Sequence, residues 1–290
     1  MNYPSRIEID VNLYRCESSR LWKPVDARGV FGGQVIGLAL SAATKTVDPR
    51  FRVHSFHCYF LLAGDNRVPI LYHVRRIRDG KTFITRQIDA KQRGKVIFTS
   101  VASYQLPEKF ELEHQYGIPT VPNPESIRTR EERLQGFLKN PKVPEKYHQS
   151  IRMRLEEKVP IDFRRINPKQ LGQENQPKQL VWMKAIGKLP DDPSFHQCVA
   201  ALCSDNYLLN TSLLIHDLAN TGRELGMIAS LDHAIWFHSD FKADEWLLYE
   251  MESPRSIGGR GYATGRIFTR DGRLVASTAQ EGVIRIKSRI

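Results

Sequence analysis

The chain repeats itself. Shifted by 178 residues, Lys95–Ser103 (KVIFTSVAS) falls on Arg273–Glu281 (RLVASTAQE), and the turn Arg93-Gly94 falls on Asp271-Gly272. The same shift lays Val53–Leu62 (VHSFHCYFLL) against Leu231–Asp240 (LDHAIWFHSD). Few residues are identical, but the order of pattern elements agrees, as in a diverged duplication. A chain built this way is expected to fold as two similar units.

Each unit reads alike. In the first, a glycine-led segment, Phe31–Val47, has apolar residues at helical spacing. Four runs rich in β-branched and aromatic residues follow, near Val53–Leu62, Val68–Arg78, Thr82–Ala90 and Lys95–Gln105, parted by turn signals. In the second, Ser194–Leu218 is the helix candidate, and strands are expected near Met227–His238, Glu245–Glu252, Gly261–Thr269 and Arg273–Ile286. One long helix and a run of antiparallel strands, twice over, predicts an α+β fold in which each sheet curls around its helix. Between the units, from Leu106 to about Gln179, lie nine of the sixteen prolines and two charged helical candidates, Glu125–Lys139 and Glu145–Lys158. So long a stretch reads as a partly helical linker, because a structureless loop of that length inside one domain is unusual.

Composition bounds the function. With 290 residues, 41% hydrophobic and 26% charged, the chain has apolar mass for a large core. No uninterrupted apolar run reaches the roughly 18 residues of a membrane span, so none is expected. The first residues, MNYPSRIEIDVN, lack the hydrophobic stretch of a secretion signal. Cys16, Cys58, Cys198 and Cys203 have no metal-like spacing and read as buried free thiols in a reducing compartment. The net charge of +11 favours an anionic partner, either nucleic acid or a phosphorylated small molecule such as coenzyme A. The densest basic stretches, Arg76–Arg86 and Ser150–Lys158, read as solvated faces of a hairpin and a helix. No aromatic-interleaved basic motif points to nucleic acid.

One residue breaks the pattern. In RLVASTAQEGVIRI (Arg273–Ile286), Gln280 sits near the middle of a strand whose apolar residues ask for burial. A buried polar group without a partner costs roughly 1–3 kcal/mol. Either Gln280 is on a wet face or something polar lies opposite it.

Four stretches in order, RGVFGGQVIGLAL, VHSFHCYFLLAGD, IASLDHAIWFH and DGRLVASTAQEGVIRIK, resemble the type II acyl-CoA thioesterases, bacterial and peroxisomal, from about Ile7 to Lys287. The resemblance implies a double hot-dog fold: residues 1–107 as an N-terminal hot-dog domain, 108–160 as the linker, and 161–290 as a C-terminal hot-dog domain with the catalytic residues. It implies hydrolysis of fatty acyl-CoA to free acid and CoA, with no cofactor beyond the CoA of the substrate and no metal. It also implies a water held by Asp205 in ALCSDNYLL, Ser230 in IASLDHAIWFH and Gln280 in STAQEGV. Gln280 would then face Ser230 and Asp205, the carboxylate serving as general base. The bacterial branch has threonine where Ser230 stands.

Other chemistries find less support. There is no GxSxG elbow. Asp232 and His233 are strand neighbours and point to opposite faces, so both cannot serve Ser230. Asp205 and His216 lie about 16 Å apart along a helix, too far to cooperate. His54 and His57, three apart in a strand, fall on opposite faces. The glycines of VFGGQ read as close packing at a helix start. The alternatives are a hot-dog enoyl-CoA hydratase and a non-enzymatic acyl-CoA-binding or nucleic-acid-binding protein.

Three expectations complete the reading. Ser288-Arg289-Ile290 looks like a degenerate Ser-Lys-Leu address, implying an import receptor and the peroxisomal matrix, or the cytoplasm if it is not a signal. Gln280 corresponds to Ala102 and Ser230 to Arg52 in the first unit, so one active site per chain is expected. Exposed strand edges, and the habit of the family, imply a homo-oligomer.

Overall fold

The computed structural model describes residues 7–109, 111–166, 176–216 and 224–287. Its first unit opens with two short strands, β1 (Ile7–Asp10) and β2 (Leu13–Cys16). Then come helix α1 (Gly32–Thr44) and strands β3 (Arg52–Phe60), β4 (Ile70–Asp79), β5 (Phe83–Gln92) and β6 (Lys95–Gln105). Two helices of the connecting region, α2 (Arg130–Lys139) and α3 (His148–Glu156), precede the second unit. That unit comprises β7 (Ile161–Arg165), β8 (Lys178–Ala185), α4 (Pro193–Ser204), β9 (Leu225–Ser230), β10 (Asp232–Phe237), β11 (Leu247–Ile257), β12 (Arg260–Thr269) and β13 (Leu274–Ile286).

Among the described residues, the strands form one antiparallel sheet in the order β1-β2-β4-β5-β6-β3-β10-β13-β12-β11-β8-β7, with β9 paired to β13. Read inward from either edge, the two halves have the same order. They meet where β3 pairs with β10, from Tyr59 opposite Asp232 to Ser55 opposite Trp236. The sheet wraps both long helices, which pack back to back. This is the double hot-dog architecture that the resemblance implies.

Each element follows from its residues. The inward positions of β5, Ile84, Arg86, Ile88 and Ala90, alternate with more accessible ones. The hairpin turns use left-handed backbone at Arg93-Gly94 (φ 48° and 75°) and Gly272 (φ 94°), at the positions aligned by the repeat. Helix α1 buries Ile36, Leu40, Ala39 and Ala43 completely, and each large aliphatic side chain so buried contributes about 1.5–3 kcal/mol. Its glycines admit the partner helix: a Cβ at Gly33 would lie 2.2 Å from the Leu202 carbonyl oxygen, and one at Gly37 3.0 Å from that of Cys198. Truncating Leu40 to alanine would cost about 2–5 kcal/mol.

Several expectations change. The run expected as one strand over Met227–His238 is two, because Leu231 turns its N–H to Glu281 and its carbonyl to Phe60. The helix expected over Ser194–Leu218 ends at Ser204, and a 3-10 helix resumes at Leu209–His216. Asp205 and His216 therefore do not share one helix, and His216 is exposed. The helical run Pro193–His216 is long and apolar enough to cross a membrane, but α4 is spent on the core, packed against α1. In the basic stretch Arg76–Arg86, Arg76 and Arg78 are exposed as expected, whereas Arg86 is buried to 1%. Three of the four cysteine thiols, Cys16, Cys58 and Cys203, are buried.

The connecting region is not detached. Thr129 and Glu132 form a capping box at the start of α2. Glu157, beyond α3, accepts hydrogen bonds from the Val25 N–H at 2.7 Å and from Arg130 at 2.9 Å. Ser150 donates to Asp26 at 2.6 Å. These contacts fasten the linker helices to the loop that enters α1, while Gln34 ties the same loop to α1 through the Trp22 N–H and the Arg20 carbonyl.

Candidate active site

Asp192 caps the start of α4, accepting from the Ser194 N–H at 3.0 Å, with proline at the next position. The far end is fixed by side chains from three strands. The Ser204 carbonyl accepts from Tyr249 Oη at 2.9 Å, and Tyr249 Oη also meets Thr278 Oγ1 at 2.9 Å. Ser204 Oγ donates to the Ala201 carbonyl and lies 2.8 Å from His233 Nε2. Asp205 follows as the C-cap residue, and the chain then reverses through Tyr207 in left-handed backbone, φ 66°. Tyr207 is held there by Gln179, which donates to its carbonyl at 2.8 Å. A non-glycine residue in this region stores strain that its surroundings must offset, a pattern that clusters at functional sites.

The structure brings Asp205, Ser230 and Gln280 together. Gln280 Nε2 donates to Asp205 Oδ1 at 2.6 Å and to Ser230 Oγ at 2.9 Å. Gln280 is 1% exposed, and its Oε1 has no hydrogen-bond partner among the described residues. Ser230 ends β9 opposite Gly282 of β13, two residues from Gln280 and on the same strand face. The glutamine thus interrupts an apolar strand because two polar groups face it.

A fourth contributor comes from the other half. The Gly33 N–H, in the first turn of α1, faces the Asp205 carboxylate and favours its charged form. A Cβ on Gly32 would lie 2.8 Å from Asp205 Oδ2 and 3.0 Å from the Phe60 ring. The glycine pair was expected to serve close packing; it does so at Gly33 and also makes room for a carboxylate at a helix N-terminus, where negative charge is favoured. A backbone N–H leaves no side-chain signature, so only the FGG at a helix start hinted at it. Burial raises the Asp205 pKa above the ordinary carboxylate range, while Gln280 and the Gly33 N–H oppose the rise. A carboxylate so placed is a stronger base than one in water.

His233 does not form a triad. Its Nε2 lies 2.8 Å from Ser204 Oγ, a serine at the end of α4, and not at Ser230. Burial lowers its pKa to about 3, leaving it neutral. Asp232 instead accepts from the Glu281 N–H at 2.6 Å. Among the described residues no cluster of three or more His, Cys, Asp or Glu side chains could hold a metal. The tripeptide Ser288-Arg289-Ile290 lies outside the described residues.

Fold and chemistry place the chain among thioester hydrolases of double hot-dog architecture. Residues 19–105 match the family profile described as acyl-CoA thioesterase N-terminal domain, and residues 149–283 match that described as acyl-CoA thioesterase. The chain belongs to the acyl-CoA thioesterase family. It is 44% identical to acyl-coenzyme A thioesterase 8 of Rattus norvegicus, over 97% of this chain and 87% of that protein. To peroxisomal acyl-coenzyme A thioester hydrolase 1 of Saccharomyces cerevisiae it is 28% identical, over 90% of this chain and 87% of the relative. A crystal structure of acyl-CoA thioesterase II from Mycobacterium marinum is similar at 36% identity and a TM-score of 0.77, covering 98% of this chain and 97% of that one.

Proposed function

We propose that this acyl-CoA thioesterase hydrolyses fatty acyl-CoA with Asp205 as general base and with Gln280 and Ser230 orienting the attacking water. The observation that carries the reading is that one buried glutamine amide donates to both a carboxylate and a hydroxyl. Asp205 takes a proton from water as the oxygen attacks the thioester carbonyl. The tetrahedral intermediate then collapses with cleavage of the C–S bond, and the proton passes to the departing thiolate. No covalent acyl-enzyme is needed. Positioned general bases of this kind contribute about 10²–10⁴-fold.

The name of the Saccharomyces cerevisiae relative supports a role in peroxisomal lipid metabolism. Free-thiol release from a panel of acyl-CoAs, by the protein and by its Asp205→Asn form, tests the catalytic reading. Turnover that survives the substitution would remove Asp205 from the mechanism. For the compartment, a fluorescent fusion with the C-terminus left free should colocalise with a peroxisomal marker, and diffuse cytosolic signal would contradict it.

A further inference from the structure

Tyr249 lies on the inner face of β11, in the main core, and is 1% exposed. A carbonyl oxygen can only accept, so the phenol donates to the Ser204 carbonyl at 2.9 Å. The same Oη meets Thr278 Oγ1 at 2.9 Å, and Thr278 precedes Gln280 by two residues on one face of β13. Gly265 of β12, opposite Thr278, makes room for the contact: a Cβ there would run into the Tyr249 ring and lie 2.7 Å from Thr278 Oγ1. One strand thus reaches both sides of the Ser204–Asp205 peptide. Gln280 holds the carboxylate, and Thr278 steadies the phenol that holds the carbonyl.

A peptide unit is planar, so fixing its oxygen fixes the plane from which the Asp205 Cα departs. The contact also acts on charge. The last carbonyls of a helix lack partners within it and form its negative end. Asp205 follows α4 directly, so a bare Ser204 carbonyl would oppose its ionisation, and the phenol offsets that opposition. Two residues past α1, the donor on Thr46 is a guanidinium, Arg86. A cation beside Asp205 would hold the carboxylate's pKa down and weaken the base. A phenol kept neutral by burial does not.

We propose that Tyr249 is a positioning residue for hydrolysis, fixing the Asp205 carboxylate through the Ser204 carbonyl without adding charge. The proposal rests on the reading of Asp205 as general base.

The test is Tyr249→Phe, which removes the hydroxyl alone. It is set against Tyr104→Phe, which removes a buried hydroxyl 3.0 Å from Thr44 Oγ1 at the end of α1. In thiol release, Tyr249→Phe should lower kcat by about tenfold with KM within about twofold, as expected of a displaced base. Tyr104→Phe should change neither. Tyr249→Phe should also move the acid midpoint of kcat up by about half a pH unit, the scale of a helix-end charge effect.

Among the described residues, Asp205 is faced by Gln280, Ser230 and the Gly33 N–H, and by the Cys58 thiol of β3. Burial pushes that thiol up, as it does Cys203 of α4, to about 12, and His233 of β10 stays neutral with its pKa lowered to about 3. Asp232 of β10 is raised by burial and titrates too, so the carboxyls are followed singly, by NMR of protein carrying isotope-labelled aspartate. Asp205→Asn and Asp232→Asn assign the resonances. This readout needs no turnover. If Asp205→Asn kept full activity, the base reading would fall, and the Asp205 resonance would still decide whether Tyr249 governs that carboxyl. An unmoved Asp205 midpoint or an unchanged kcat in Tyr249→Phe, or equal kcat losses in the two tyrosine variants, would overturn the proposal. Should Tyr249→Phe fail to fold, Thr278→Val decides, because it unties the phenol from β13. It should shift both readouts the same way by less, Thr278→Ser should restore them, and no shift in Thr278→Val would overturn the proposal.

Discussion

The two halves solve the same packing problem and part ways at one pair of cross-strand neighbours. In the second half Gln280 lies opposite Ala263; at the matching place in the first, Ala102 lies opposite Arg86. All four point inward and are buried. The polar side chain has changed strands. Gln280 reaches the carboxylate just past the end of α4. Arg86 reaches the second residue past the end of α1, donating to the Thr46 hydroxyl at 2.8 Å and its carbonyl at 3.1 Å, and pairs with Asp79. A guanidinium suits the C-terminal end of a helix. The connections differ as well. In the first half residues 45–51 run directly from α1 to β3, while in the second residues 205–231 add the 3-10 helix and β9, and with them Ser230. The two halves share one strand order; among the described residues, one longer connection and one exchanged pair accompany the Asp205–Ser230–Gln280 cluster of the second.

The difference can be tested by altering equivalent parts. Asp205→Asn should have the largest effect, lowering kcat by about 10²–10⁴-fold in a thiol-release assay with KM little changed. Gly32→Ala should come next. It replaces none of the three site side chains but pushes a methyl toward Asp205 Oδ2, and misplacement on that scale can cost about 10²-fold in kcat. A normal rate in Gly32→Ala would mean that the first half lends nothing to the base. Ser230→Ala should lose on the order of tenfold, the scale of one orienting hydrogen bond, and Ser230→Thr should be tolerated. Combined with Gln280→Ala it should lose much less than the product of the single losses, because both groups act on one water. Arg86→Met should do least to kcat, yet destabilise the fold by about 2–4 kcal/mol in thermal unfolding, since it strands several buried acceptors.

The pH dependence follows from Asp205. Its pKa is raised by burial, and the base works only when ionised, so kcat should fall as pH drops through a midpoint above the ordinary aspartate range. The linked effect on stability has the opposite sense. A carboxyl whose folded pKa is raised stabilises the fold least when ionised, so this contribution is lost as pH rises from the unfolded pKa through the folded one. Asp205→Asn should remove both dependences, as read from kcat and from melting temperature against pH.

What was legible in the sequence follows the same division. The four main strands after each long helix came from turn chemistry and alternation. The strands before the helices did not, since Leu13–Cys16 is only 4 residues long and Lys178–Ala185 borders the proline-rich stretch. Asp205, Ser230 and Gln280 have no local spacing that would announce them, and the family resemblance supplied what periodicity could not. Arg86 was readable in principle, because it shares its alternation phase with Ile84, Ile88 and Ala90. A charged residue on an inward phase is the signal that was missed. The break at Asp205 depends on the left-handed backbone at Tyr207, which nothing in a tyrosine foretells.

The claim that one chain holds one site is tested most directly by counting. Isothermal titration of the protein with a non-hydrolysable thioether analogue of acyl-CoA should saturate at one equivalent per chain. Gln280→Ala should alter the binding enthalpy of that single event. Two equivalents per chain, both competing with substrate, would show that the first half also binds acyl-CoA productively and would contradict the account.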